Sequence, residues 1–143
     1  MTETNKTFEL AQLRAAEVTF IMREPFQHME GQPLKAVHEL VVEDCLIKYF
    51  FIGTKHALLI AADVNDDTVE VNLTSPDKLP VTVKNVSAVD PWESLIGRSF
   101  GWCSMTINQQ GYCDGVLMSF DGVFPQVFLT VVASSIKLGR ITM

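Results

Sequence analysis

A chain of 143 residues has the length of one domain, and at this size a single core hides roughly 68–70% of the unfolded surface without disulfides or structural metals. Apolar residues make up 48% and charged residues 20%, which excludes a disordered or collagen-like chain. Eleven Lys and Arg against seventeen Asp and Glu leave a formal net charge of −6, so the chain as a whole repels nucleic acid and anionic lipid.

At the N-terminus, Phe8, Leu10, Leu13 and Ala16 share one face of a short helix, and Val18, Phe20 and Met22 alternate like a strand running into Glu24-Pro25. Gly31-Gln32-Pro33 is a break. Four runs of strand length follow, 37–43, 46–52, 57–62 and 68–73, rich in β-branched and aromatic residues and joined closely enough to predict an antiparallel meander. The connection over 63–67 is Asp-Val-Asn-Asp-Asp, side chains that bond their own backbone and tolerate left-handed conformations. Residues 74–80 read as a loop with two prolines. Asp90-Pro91-Trp92-Glu93 predicts a helix over 91–96, with Asp90 as N-cap, Pro91 first and Gly97 closing it, packed down by Trp92, Leu95 and Ile96. The last third reads as two more hairpins, 100–107 with 112–120 and 126–133 with 136–141.

The fold expected is a β-rich α+β domain whose antiparallel meander and hairpins form a curved sheet, a barrel or a sandwich. It has one short helix (91–96) and a further helix near the N-terminus. One domain spans 1–143, with residues 1–33 packing on a β core over 36–142. Strands 46–52 and 127–133 are apolar on both faces, so both faces need cover, which a homodimer would also supply. The opening ten residues carry acids and no apolar h-region, and no stretch approaches about 18 uninterrupted apolar residues, so a cytoplasmic protein that does not engage membranes is expected. An odd count of three cysteines, Cys45, Cys103 and Cys113, fits reduced thiols.

Catalytic signatures are missing. There is no phosphate loop, dinucleotide turn or nucleophile elbow, and His38-Glu39 lacks a second His where Val42 stands. Cys103 and Cys113 lie on two arms of one predicted hairpin but lack a third ligand, and read as small core residues. Asp63-x-Asn65-x-Asp67 starts like a calcium loop, yet Thr68 replaces its glycine and Thr74 its bidentate acid, which leaves a solvated turn. No catalytic residue, metal or cofactor is therefore assigned.

Two groups of residues suit partner binding. Residues 1–90 hold fourteen acids against eight bases, whereas 91–143 hold three of each, so the whole excess lies in the first part. Within it Glu39, Glu43, Asp63, Asp66, Asp67 and Glu70 are the candidates for an acidic face that steers a basic partner. The second group, Trp102, Asn108, Gln109, Gln110, Tyr112 and Asp114, gathers aromatics, amides and a carboxylate around one turn, a composition suited to a polar ligand or peptide.

Trp92 to Gly97, Asn108-Gln-Gln-Gly-Tyr-Cys-Asp114, Ser119-Phe-Asp-Gly122 and Ala133-Ser-Ser135 resemble a family of small bacterial proteins that is a domain of unknown function, over about residues 37–142. The resemblance implies a bacterial setting and no chemistry. In size, acidity and missing motifs the chain is also similar in type to immunity proteins that neutralise toxins of interbacterial competition. The expected function is protein binding: inhibition of a basic, nuclease-type toxin domain, with no nucleic acid bound. The alternatives are a small ligand-binding barrel or enzyme using the 108–114 hairpin, and a self-associating structural domain.

Overall fold

The computed structural model describes residues 23–63, 65, 67–107 and 111–141. The helix and strand expected over 8–22 lie outside the described residues.

The first described element is a helix, α1 (Arg23–Met29), where the sequence pattern had suggested the end of a strand. Pro25 is compatible with it because it falls in the first turn, where its missing N–H costs no intrahelical bond. Phe26 and Met29, three residues apart, both turn into the core.

The meander forms as expected: β1 (Ala36–Val42), β2 (Cys45–Ile52), β3 (Ala57–Asp63) and β4 (Thr68–Thr74). A two-residue strand, β5 (Lys84–Asn85), pairs with β1 and was not anticipated, giving a sheet of order β4-β3-β2-β1-β5. The second sheet contains β6 (Trp102–Ile107), β7 (Cys113–Ser119), β8 (Val127–Val132) and β9 (Ser135–Arg140), in sequence order and antiparallel throughout.

The two sheets pack as a sandwich, with β2 and β3 against β9 and β4 against β7 and β8. Register places Tyr49 opposite Ile60 and Phe51 opposite Leu58 in one sheet, Met105 opposite Val116 and Met118 opposite Val127 in the other, and all eight face inward. The opposite face of the first sheet also buries Phe50, Ala57 and Ala61, as the two-sided apolar pattern of 46–52 required. Strand β8 departs from that expectation. Val127, Leu129 and Val131 are buried, while Phe128 and Thr130 are half-buried and Val132 is exposed.

The helix expected over 91–96 is instead a single 3-10 turn, Trp92–Ser94. Asp90 does not cap it: Pro91 occupies the cap position, with no side-chain cap bond, and the Asp90 carboxylate is ion-paired with Arg140. The cap is the carbonyl of Val89, which accepts from the N–H groups of Trp92 and Glu93 at 2.8 and 3.2 Å. Gly97 closes the segment as expected, at φ +91, a backbone region costly for other residues. What holds this short turn is packing. Trp92 stands edge-on to Tyr49 and Phe51, each at 5.3 Å between ring centroids, and Leu95 is buried beside it.

Candidate partner-binding end of the sandwich

In an antiparallel meander alternate turns fall at the same end of the sheet. The turns Glu43-Asp44, between β1 and β2, and 64–67, between β3 and β4, therefore share one end. The β8–β9 turn, Ala133-Ser134, meets them there. Asp67 Oδ1 accepts from the backbone N–H of Ser134 at 2.7 Å and from its hydroxyl at 3.3 Å, and the Ser135 hydroxyl donates to the Leu46 carbonyl at 3.4 Å. Gly115 lies opposite Thr130, so Ile107 and Tyr112, which bracket the β6–β7 turn, reach that end too. Four hairpin tips thus converge on one end of the molecule.

Local chemistry makes these turns tight. Glu43 and Asp44 have φ of 51° and 66°, and Asp67, Ala133 and Ser134 also adopt positive φ. Asp63 Oδ1 accepts from the N–H of Asn65 at 2.9 Å, and the Asp63 carbonyl accepts from the N–H of Asp67 at 3.0 Å. The Asp63 and Asp67 oxygens that resembled part of a calcium loop are bonding their own turn and its neighbour across the sandwich. Among the described residues no group of three or more His, Cys, Asp or Glu could hold a metal.

The acidic candidates separate into three environments. Glu43, Asp63 and Asp67 belong to the tip end, joined by Asp44. Glu39 lies in mid-strand opposite Tyr49, where it accepts from the phenol hydroxyl while Trp92 donates to the same oxygen; burial, with the Glu39 charge, pushes the Tyr49 pKa far above its ordinary range. Glu70, opposite Ala61, points to the outer face of the edge strand β4. Asp66, Asn108, Gln109 and Gln110 lie outside the described residues.

Of the second group, Tyr112 is 52% exposed at the tip end and Asp114 is half-buried beside it. Trp102 begins β6 and sits at the far end from them. Cys103 is opposite Met118 and Cys113 opposite Ile107, so the two thiols occupy opposite ends of one hairpin. Cys103 is buried, which raises its thiol pKa well above the usual value and leaves it protonated.

The structure also joins residues that sequence distance had kept apart. The rings of His28 and His56 approach to 5.4 Å, with Gln32 between α1 and the β2–β3 turn: its amide nitrogen contacts the His28 carbonyl, and its oxygen accepts from the Lys55 N–H at 3.0 Å. Asp121 organises the β7–β8 loop. One oxygen accepts from the N–H groups of Val123 and Phe124 at 2.7 and 3.0 Å and from the Ser119 hydroxyl at 3.1 Å, and the other from the Gln126 amide at 2.8 Å. Ser119-Phe-Asp-Gly122 and Ala133-Ser-Ser135, two of the segments that carried the resemblance, are thus loop-forming devices.

Taken together, these features define an all-antiparallel β-sandwich with one acidic cluster of hairpin tips. The chain belongs to the family of unknown function DUF6334, whose model matches residues 20–143, a longer span than the resemblance suggested. No curated protein and no solved structure matches it. Among the described residues no helix is long and apolar enough to cross a membrane.

Proposed function

We propose that this protein is a small binding protein that occupies the basic site of a partner protein, most concretely an immunity protein that neutralises a nuclease-type toxin domain. One observation carries the reading: four hairpin tips share one end of the sandwich, and among their described turn residues four are acids, Glu43, Asp44, Asp63 and Asp67, and none is a base. Acids fixed on short turns lose little side-chain freedom on binding, and their shared field speeds encounter with a cationic surface. Tyr112, amphipathic and exposed at the same end, supplies an aromatic anchor.

The test is co-purification with, and binding kinetics against, the C-terminal domain of a secreted toxin encoded beside it. The association rate should fall steeply between about 50 and 500 mM salt, where the Debye length shortens from roughly 14 to 4 Å. Glu43→Gln, Asp44→Asn and Asp63→Asn together remove three charges and keep side chains that suit these turns. They should slow association about tenfold or more and flatten its salt dependence, while Glu70→Gln, on another face, leaves both nearly unchanged. An association rate indifferent to salt and to the triple variant removes the tip end from the interface.

A further inference from the structure

The chain has four arginines, and the two beyond residue 23, Arg98 and Arg140, line the same cleft although 42 residues separate them. The cleft, of about 350 Å³, lies between the 3-10 turn and the end of β9, and Pro91, Leu95 and Ile141 provide its apolar wall. Both arginines stand on fixed backbone. The Arg98 N–H donates to Leu95 at 3.0 Å and its carbonyl accepts from Leu34 at 2.8 Å; Arg140 pairs with Val127 in β9, and the next N–H, of Ile141, donates to Gln126 at 3.0 Å. The Arg140 guanidinium is ion-paired with Asp90, whereas Arg98 has no carboxylate partner among the described residues. In a protein of net charge −6 this leaves a local excess of one guanidinium beside apolar surface.

We infer that this cleft binds a carboxylate carried next to an apolar group, either a small organic acid or the C-terminal residue of a peptide. A guanidinium presents a planar fork that matches a carboxylate with two parallel hydrogen bonds. Arg98 supplies the first fork. Arg140 has five donors and only part of them face Asp90, so it reaches the same ligand from the other side of the cleft. Pro91, Leu95 and Ile141 take the apolar substituent, which selects against a bare inorganic anion.

Calorimetric titration with acetate, 3-phenylpropanoate, inorganic phosphate and a hexapeptide ending in leucine, with free or amidated C-terminus, tests this. Phenylpropanoate should bind at least about tenfold more tightly than acetate, and the free peptide should bind where the amidated one does not. If the free peptide is the tighter of the two, the ligand source is a peptide end; if phenylpropanoate is, it is a small acid. Arg98→Gln should weaken binding at least about tenfold. Asp90→Asn should strengthen it about threefold or more, since a competing carboxylate is removed, a gain that structural damage does not produce. Thermal melts of both variants confirm folding. Absence of carboxylate binding, phosphate binding as tightly as phenylpropanoate, or an Asp90→Asn variant that binds more weakly overturns the inference.

Discussion

Asp121 shows how one carboxylate shapes a loop. Its contacts with Val123, Phe124, Ser119 and Gln126 all favour the charged form, the Val123 N–H most strongly, and they hold its pKa below the ordinary carboxylate value. The folded state therefore releases this proton more readily than the unfolded chain. The stability it lends is complete above the ordinary carboxylate range and is lost as pH falls through the lowered value. Urea midpoints measured from pH 6 to pH 3 should fall more steeply for the native chain than for Asp121→Asn; equal slopes would separate the network from acid stability. The turn itself was legible, because Asp-Gly is turn chemistry. Its partners were not, since the Ser119 hydroxyl and Gln126 amide converge on Asp121 only when β7 and β8 are already paired. The same holds for Glu39, which composition grouped with exposed acids. Its position opposite Tyr49 instead delivers it to a phenol that also accepts from the Trp92 indole.

At the scale of elements, strands were easy to locate because a period-2 apolar pattern bounded by turn residues is local information. The short elements were not. A two-residue strand such as β5 has no pattern of its own and exists because β1 offers it an edge, and the 3-10 turn at Trp92 is set by aromatic packing on Tyr49 and Phe51. The outer face of the second sheet depends on a fit between elements. A Cβ on Gly115 would lie 2.5 Å from Thr106 Oγ1, 2.8 Å from Phe128 Cε1 and 2.9 Å from the Leu129 carbonyl, so the Phe128 ring and the neighbouring strands crowd the space a side chain needs. Gly115→Ala should destabilise the domain by about 1–3 kcal/mol in chemical denaturation. Adding Phe128→Leu should recover part of that loss, because it withdraws the ring atom while leaving the Leu129 backbone in place. A neutral Gly115→Ala would show that the strands separate readily there.

For the whole molecule, Asp67 is both a candidate partner contact and a tie between the sheets. It joins the first-sheet turn to Ser134 of the second sheet through two hydrogen bonds. Asp67→Ala should cost about 1 kcal/mol of unfolding free energy, a charged hydrogen bond discounted for exposure. Asp67→Asn, which keeps an acceptor and tolerates the positive φ of 55°, should cost less than half as much. If both variants melt like the native chain, the two sheets are held at this end by core packing alone. Among the described residues β4 is an edge of the first sheet, and it carries Glu70 on its outer face, a charge that discourages edge-to-edge pairing.

The amino-acid sequence by itself determined where eight of the strands lie, which turns join them, that the whole acidic excess lies before residue 91, and that the chain has the character of a domain of unknown function. These are properties of residues near one another, expressed as alternation, turn chemistry and composition. Only the tertiary structure decided which acids meet. It gathered Glu43, Asp44, Asp63 and Asp67 at one end, set a half-buried Glu39 beside Tyr49, turned Glu70 outward, and brought Arg98 and Arg140 to a single cleft. Such meetings depend on strand order and on packing between the two sheets, and the contacts that set them join residues tens of positions apart, beyond the reach of any local pattern.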